Sequence, residues 1–103
     1  MTITRTDENG KITLKPEGWL DTAGAPQLGQ AVEAIDAATE IVLDLDAVEY
    51  MASAGLRQIV AANRKAKELQ AEFSVIHAGT EVMSIFRMSG IDKKIKVFAG
   101  ENS

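Results

Sequence analysis

Ile41-Val42-Leu43-Asp44-Leu45-Asp46-Ala47-Val48-Glu49-Tyr50-Met51-Ala52-Ser53-Ala54-Gly55-Leu56 is the stretch on which the fold turns. Its first five residues form a short, nearly continuous apolar run rich in branched side chains. That pattern marks a central strand covered on both faces, often parallel to a neighbour. Val48 to Met51 either extends this strand or makes a short one of its own. From Ser53 the period changes to that of a helix reaching about Leu69, with Leu56, Ile59, Val60, Asn63 and Ala66 on one face. Arg57, Arg64, Lys65 and Lys67 fall mostly elsewhere. A buried strand feeding directly into a helix points to an α/β fold.

Upstream, Ile3 to Asp7 and Lys11 to Lys15 flank Glu8-Asn9-Gly10. Asn-Gly supplies two residues that tolerate positive φ, as a two-residue type I′ hairpin turn requires. Gly18-Trp19-Leu20-Asp21 then leaves the second strand. A helix is expected from Thr22 or Ala23 to about Ala37, with Leu28, Ala31, Val32 and Ile35 on its inner face. Pro26 fits only the first turn, where N–H groups have no intrahelical partner. Downstream, Glu72 to His77 reads as a strand and Glu81 to Met88 as a helix stopped by Ser89-Gly90. Lys94 to Phe98 reads as a last strand, followed by a polar tail, Gly100 to Ser103, expected to fray. The order β-β-α-β-α-β-α-β implies one domain over residues 1–103, its ordered core at about 2–98. It is a mixed β-sheet with packed helices.

The chain has 103 residues, 46% apolar and 25% charged, enough for one modest hydrophobic core. Cysteine is absent, which excludes disulfides and thiolate metal sites and suits a reducing cytoplasm. No run approaches the ~20 apolar residues of a membrane span, and Met1 to Arg5 lacks the apolar stretch of a signal peptide. No membrane insertion is expected. The net charge of −4 argues against nucleic acid as a direct partner. Residues 1–50 carry 3 basic against 10 acidic side chains, and residues 51–103 carry 8 against 5. Such polarity can steer a charged partner.

Ser53 is the residue most suited to chemistry. It is expected to be the N-cap of its helix, accepting a backbone N–H two or three residues on. Ala52, Ala54 and Gly55 keep its surroundings small, so a partner's backbone can approach closely. The helix N-terminus favours an anion, so a phosphate on Ser53 is tolerated locally while adding about −1.5 to −2 charges. A plain capping serine is the competing reading. Hydrolase chemistry is disfavoured, because Met51 and Gly55 do not make a Gly-x-Ser-x-Gly elbow and His77 is the single histidine. For the same reason no metal site is expected, and His77 reads as structural or superficial. Asp44 and Asp46 read as solvated acids at a strand end. The glycines form no phosphate-cradling loop, so no cofactor is implied. Trp19 is either a lid on the core or an interface anchor.

Three motifs together resemble a known family. Met51-Ala52-Ser53-Ala54-Gly55-Leu56-Arg57 is similar to the signature of STAS domains of the anti-sigma factor antagonist type. Gly18-Trp19-Leu20-Asp21 is similar to the family's Gly-x-Leu/Ile-Asp after the second strand, and Phe86-Arg87-Met88-Ser89-Gly90-Ile91 to its Phe-x-x-Ser/Thr-Gly-Leu segment. The resemblance runs from about residue 3 to residue 98. It implies a cytoplasmic regulatory binding protein and kinase substrate, with Ser53 as phosphoacceptor. The partner it implies is both anti-sigma factor and serine kinase, bound by the unphosphorylated form; a metal-dependent phosphatase restores that form. It places Asp21 beside the phosphoacceptor, and the partner-binding surface on Asp21, Thr22, Ala52, Ala54, Gly55 and Arg57. Ala52 stands where the best-known members carry aspartate. That departure, with Ala54 in place of a second hydroxyl, leaves an alternative: an unphosphorylated STAS subunit of a larger transport or signalling assembly.

Overall fold

The computed structural model describes residues 1–99. The chain opens with β1 (Thr2–Glu8) and β2 (Lys11–Leu20), an antiparallel hairpin in which Glu8 pairs with Lys11. Asn9 and Gly10 both take positive φ, 50° and 87°, as a type I′ turn demands. On the exposed strand β1, the Arg5 guanidinium lies 2.8 Å from Asp7 and holds that carboxyl below its usual range. Then follow α1 (Ala25–Glu33), β3 (Glu40–Asp44), β4 (Val48–Met51), α2 (Ser53–Glu68) and β5 (Glu72–Ala78). The chain closes with α3 (Thr80–Ser89), α4 (Ile91–Lys94) and β6 (Lys96–Ala99).

The six strands of the described residues form one mixed sheet in the order β1-β2-β3-β5-β6, with β4 paired to β2 beyond the reach of β3. All pairings except the hairpin are parallel. β3 is central, and Ile41, Val42 and Leu43 are all buried, as their continuous apolar run requires. Phe86, Leu14, Leu20, Leu28, Ile41, Leu43, Ile59 and Val75 make the centre of the core. None of the described helices is long and apolar enough to cross a membrane.

Several boundaries differ from the sequence expectation. β2 does not end near Lys15 but runs to Leu20, because Gly18 (φ 107°) makes an irregularity in register; Lys11–Leu14 pair with β3 and Gly18–Leu20 with β4. β4 is a strand of its own. α1 starts at Ala25, not Thr22 or Ala23. Asp21 Oδ1 accepts the N–H groups of Ala23 (3.1 Å) and Gly24 (2.8 Å), holding Thr22–Gly24 in a turn that competes with helix. α1 also ends at Glu33, short of Ala37, although Ile35 stays fully buried in the turn that follows. On α2 the buried face is Gly55, Ile59, Ala62 and Ala66, and Val60 lies 42% exposed. α3 ends at Gly90, in the left-handed conformation, as expected. The one-turn α4, absent from the sequence expectation, then buries Ile91 and delivers buried Ile95 to the start of β6. The tail 100–103, expected to fray, lies outside the described residues.

Candidate functional site

Parallel pairing brings the C-terminal ends of β2, β4, β3 and β5 to one edge of the sheet, and the residues singled out by sequence collect there. Leu20 pairs with Met51 and Trp19 with Tyr50, so the Asp21 turn sits beside the start of α2. The Ala52 N–H donates to the Leu20 carbonyl at 2.9 Å, tying the two segments together. The would-be Cβ of Gly55 meets the Leu20 carbonyl oxygen at 2.8 Å and Leu20 Cβ at 2.9 Å. Only glycine allows α2 to lie this close to β2.

Ser53 is not the N-cap of α2. That position belongs to Ala52, which is extended (φ −107°, ψ 177°) and whose carbonyl accepts the Leu56 N–H at 3.2 Å. Ser53 already has helical backbone, so its side chain is not bent back over the first turn. The residue is exposed, and its hydroxyl makes no hydrogen bond to the described protein. A hydroxyl free of capping duty at a helix start is open to modification. The positive end of the helix dipole lies directly behind it.

The other expected site residues fall into two groups. Thr22 and Arg57 are exposed and Ala52 and Ala54 half-buried, so all four reach the surface, Ala52 and Ala54 on either side of Ser53 and Arg57 one turn further along α2. Gly55 is buried and shapes that surface from beneath. Asp21 is half-buried, with one carboxylate oxygen already committed to the 22–24 turn. It braces the rim of the site.

Sequence reasoning missed Tyr50. Trp19 and Tyr50 are 55% and 47% exposed and lean on each other with ring centroids 5.2 Å apart. Trp19 is therefore not a lid on the core; β2 holds it outside, beside Asp21. The signal was an aromatic at the end of each of two runs, but their pairing depends on the β2–β4 register. Asp44 is likewise not a freely solvated acid. Its Oδ1 lies 2.9 Å from His77 Nδ1 and accepts the Asp46 N–H at 3.0 Å, while Asp46 is exposed. His77 takes a left-handed conformation (φ 58°) where β5 changes register against β6.

Fold and edge together define a class: residues 1–97 match the family described as "Mlab, STAS domain", and the chain belongs to the STAS domain family. Among individual relatives, it is 31% identical over 101 residues to the anti-sigma-F factor antagonist RsfB of Mycobacterium tuberculosis, across 96% of this chain and 82% of that protein. The crystal structure of an anti-sigma factor antagonist from Mycobacterium paratuberculosis superposes with a TM-score of 0.86 at 28% identity, covering 98% of this chain and 87% of that one. The anti-sigma factor antagonist SpoIIAA in its unphosphorylated form matches with a TM-score of 0.80, covering 98% and 90%. At 18% identity that likeness is one of fold.

Proposed function

We propose that this chain is a cytoplasmic anti-sigma factor antagonist, a regulatory binding protein whose association is switched at Ser53. The unmodified form binds an anti-sigma factor that is also a serine kinase. In the switching step the Ser53 oxygen attacks the γ-phosphorus of the partner's ATP, ADP leaves, and the hydroxyl proton is lost. A metal-dependent serine phosphatase hydrolyses the ester and restores the binding form. The observation that supports this reading is the exposed, uncommitted Ser53 hydroxyl at the start of α2, within a family whose similar members are anti-sigma factor antagonists.

The physics of the switch is electrostatic. A phosphate at the first residue of a helix faces its positive end and leaves the fold intact. The same phosphate puts about −1.5 to −2 charges onto the docking surface. Like charge across an interface costs several kcal/mol, or roughly a hundredfold or more in affinity. Titration calorimetry against an anti-sigma factor from the source genome tests this. Ser53→Ala should bind like the unmodified chain, and Ser53→Asp should lose binding by about that factor. Equal binding by both variants would remove the charge switch.

Ala52 supports a second reading. In that reading, with no carboxylate next to the serine, the chain escapes phosphorylation and acts as a constitutive STAS subunit of a transport or signalling assembly. Intact-mass measurement on protein from its native cells separates the two. A species heavier by ~80 Da, absent in Ser53→Ala, belongs to the switch alone.

A further inference from the structure

We propose that the groove between α2 and the α3–α4 corner is a docking site for an acidic, amphipathic segment of a partner protein. The groove encloses about 470 Å³, within the ~300–1,000 Å³ typical of ligand clefts. Its apolar part is made by Leu56 and Val60 of α2 and Ile91 of α4, and its charged part by Arg57, Arg64 and Lys94. No acidic side chain lines it. Among the described residues, none of those three cations is ion-paired. Met88, next to the groove-lining Ser89, is 87% exposed.

Three cations with no acid among them, drawn from the basic half of the chain, suit a covering segment of opposite sign. Arg57, Val60 and Arg64 stand at i, i+3 and i+7, so one face of α2 presents cation, apolar, cation in order. The complement is a segment with apolar side chains at i and i+3 or i+4, framed by Asp or Glu. That is the way amphipathic helices lie in grooves. An anionic membrane fits less well, since lipid-reading patches carry about 4–8 clustered cations. Three cations on a concave wall suit a discrete peptide.

The groove shares Arg57 with the Ser53 surface but runs away from it along α2, and the proposal does not rest on the switch. Arg64 lies about 16 Å along the helix from Ser53 at 1.5 Å per residue. Val60, Arg64 and Lys94 are all exposed, so changing them spares the core. The test is a selection of random peptides, roughly 15 residues long and displayed on phage, against the full chain. Enriched sequences should carry at least two acids framing apolar residues at helical spacing. As synthetic peptides they should bind about tenfold or more weakly to Arg64→Glu/Lys94→Glu and to Val60→Asp. They should bind normally to Ser53→Ala and to Arg64→Lys/Lys94→Arg. Circular dichroism melts verify that each variant is folded. The proposal is overturned by no enrichment, by enriched peptides without acids, or by binding indifferent to charge reversal. It is equally overturned if phosphatidylglycerol vesicles or a second copy of the chain engage Arg64 and Lys94 and the peptides do not.

Discussion

Moving the helix cap by one residue changes what Ser53 can do. A capping serine spends its oxygen on the backbone, whereas here Ala52 holds the cap position and Ser53 begins the helix proper. An acid at that first position meets the positive helix end, a gain of about 0.3–1 kcal/mol. Ser53→Asp should therefore melt at the same temperature as the parent or slightly above it, so its loss of partner binding cannot be ascribed to unfolding. Trp19 offers a second readout, being the chain's single tryptophan and more than half exposed. Its emission should be red-shifted and readily quenched by iodide in the free chain. Docking of an anti-sigma factor on the Asp21–Ser53 surface should shift it to the blue and shield it. Unchanged quenching in a saturated complex would place the partner elsewhere.

Between elements, the decisive contact is the one α2 makes with the end of β2. Gly55, Ile59, Ala62 and Ala66 give the helix a face with small residues at three of four positions, which lets it lie close to the sheet. Adding a methyl at Gly55 drives it against the Leu20 carbonyl oxygen and Cβ, which belong to the backbone and the root of the side chain and cannot swing away. Gly55→Ala should cost about 1–3 kcal/mol by chemical denaturation. It should also displace the Ser53 turn, weakening partner binding even where the variant stays folded. The hairpin illustrates the opposite, local case: Asn9-Gly10 could be read directly, because a type I′ turn is decided by the two residues in it. The start of α1 could not, because the Asp21 side chain and Gly24, pressed against the Trp19 carbonyl, outweigh the helical period that begins at Thr22.

The whole molecule rests on one core that every helix and the inner strands share. A chain of this size is stable by about 5–15 kcal/mol. Phe86 is fully buried at its centre, and truncating a buried phenylalanine to alanine costs about 3–5 kcal/mol. Phe86→Ala should thus lose about a fifth or more of total stability, seen as a lower denaturation midpoint in urea. A cost below about 1 kcal/mol would mean that α3 is not integral to the core.

Periodicity and turn chemistry by themselves determined the alternation of strands and helices, the central place of residues 41–45, and Ser53 at a strand-to-helix junction. Each of these depends on neighbours within a few positions along the chain. Tertiary structure alone decided that β4 would pair with β2, standing Tyr50 against Trp19, and that Asp44 would meet His77. It also decided that Val60, on what looked like the inner face of α2, would open into a basic groove with Lys94. Those contacts join segments roughly 30 residues apart. Strand register and helix rotation set them, and both follow from how the entire core packs.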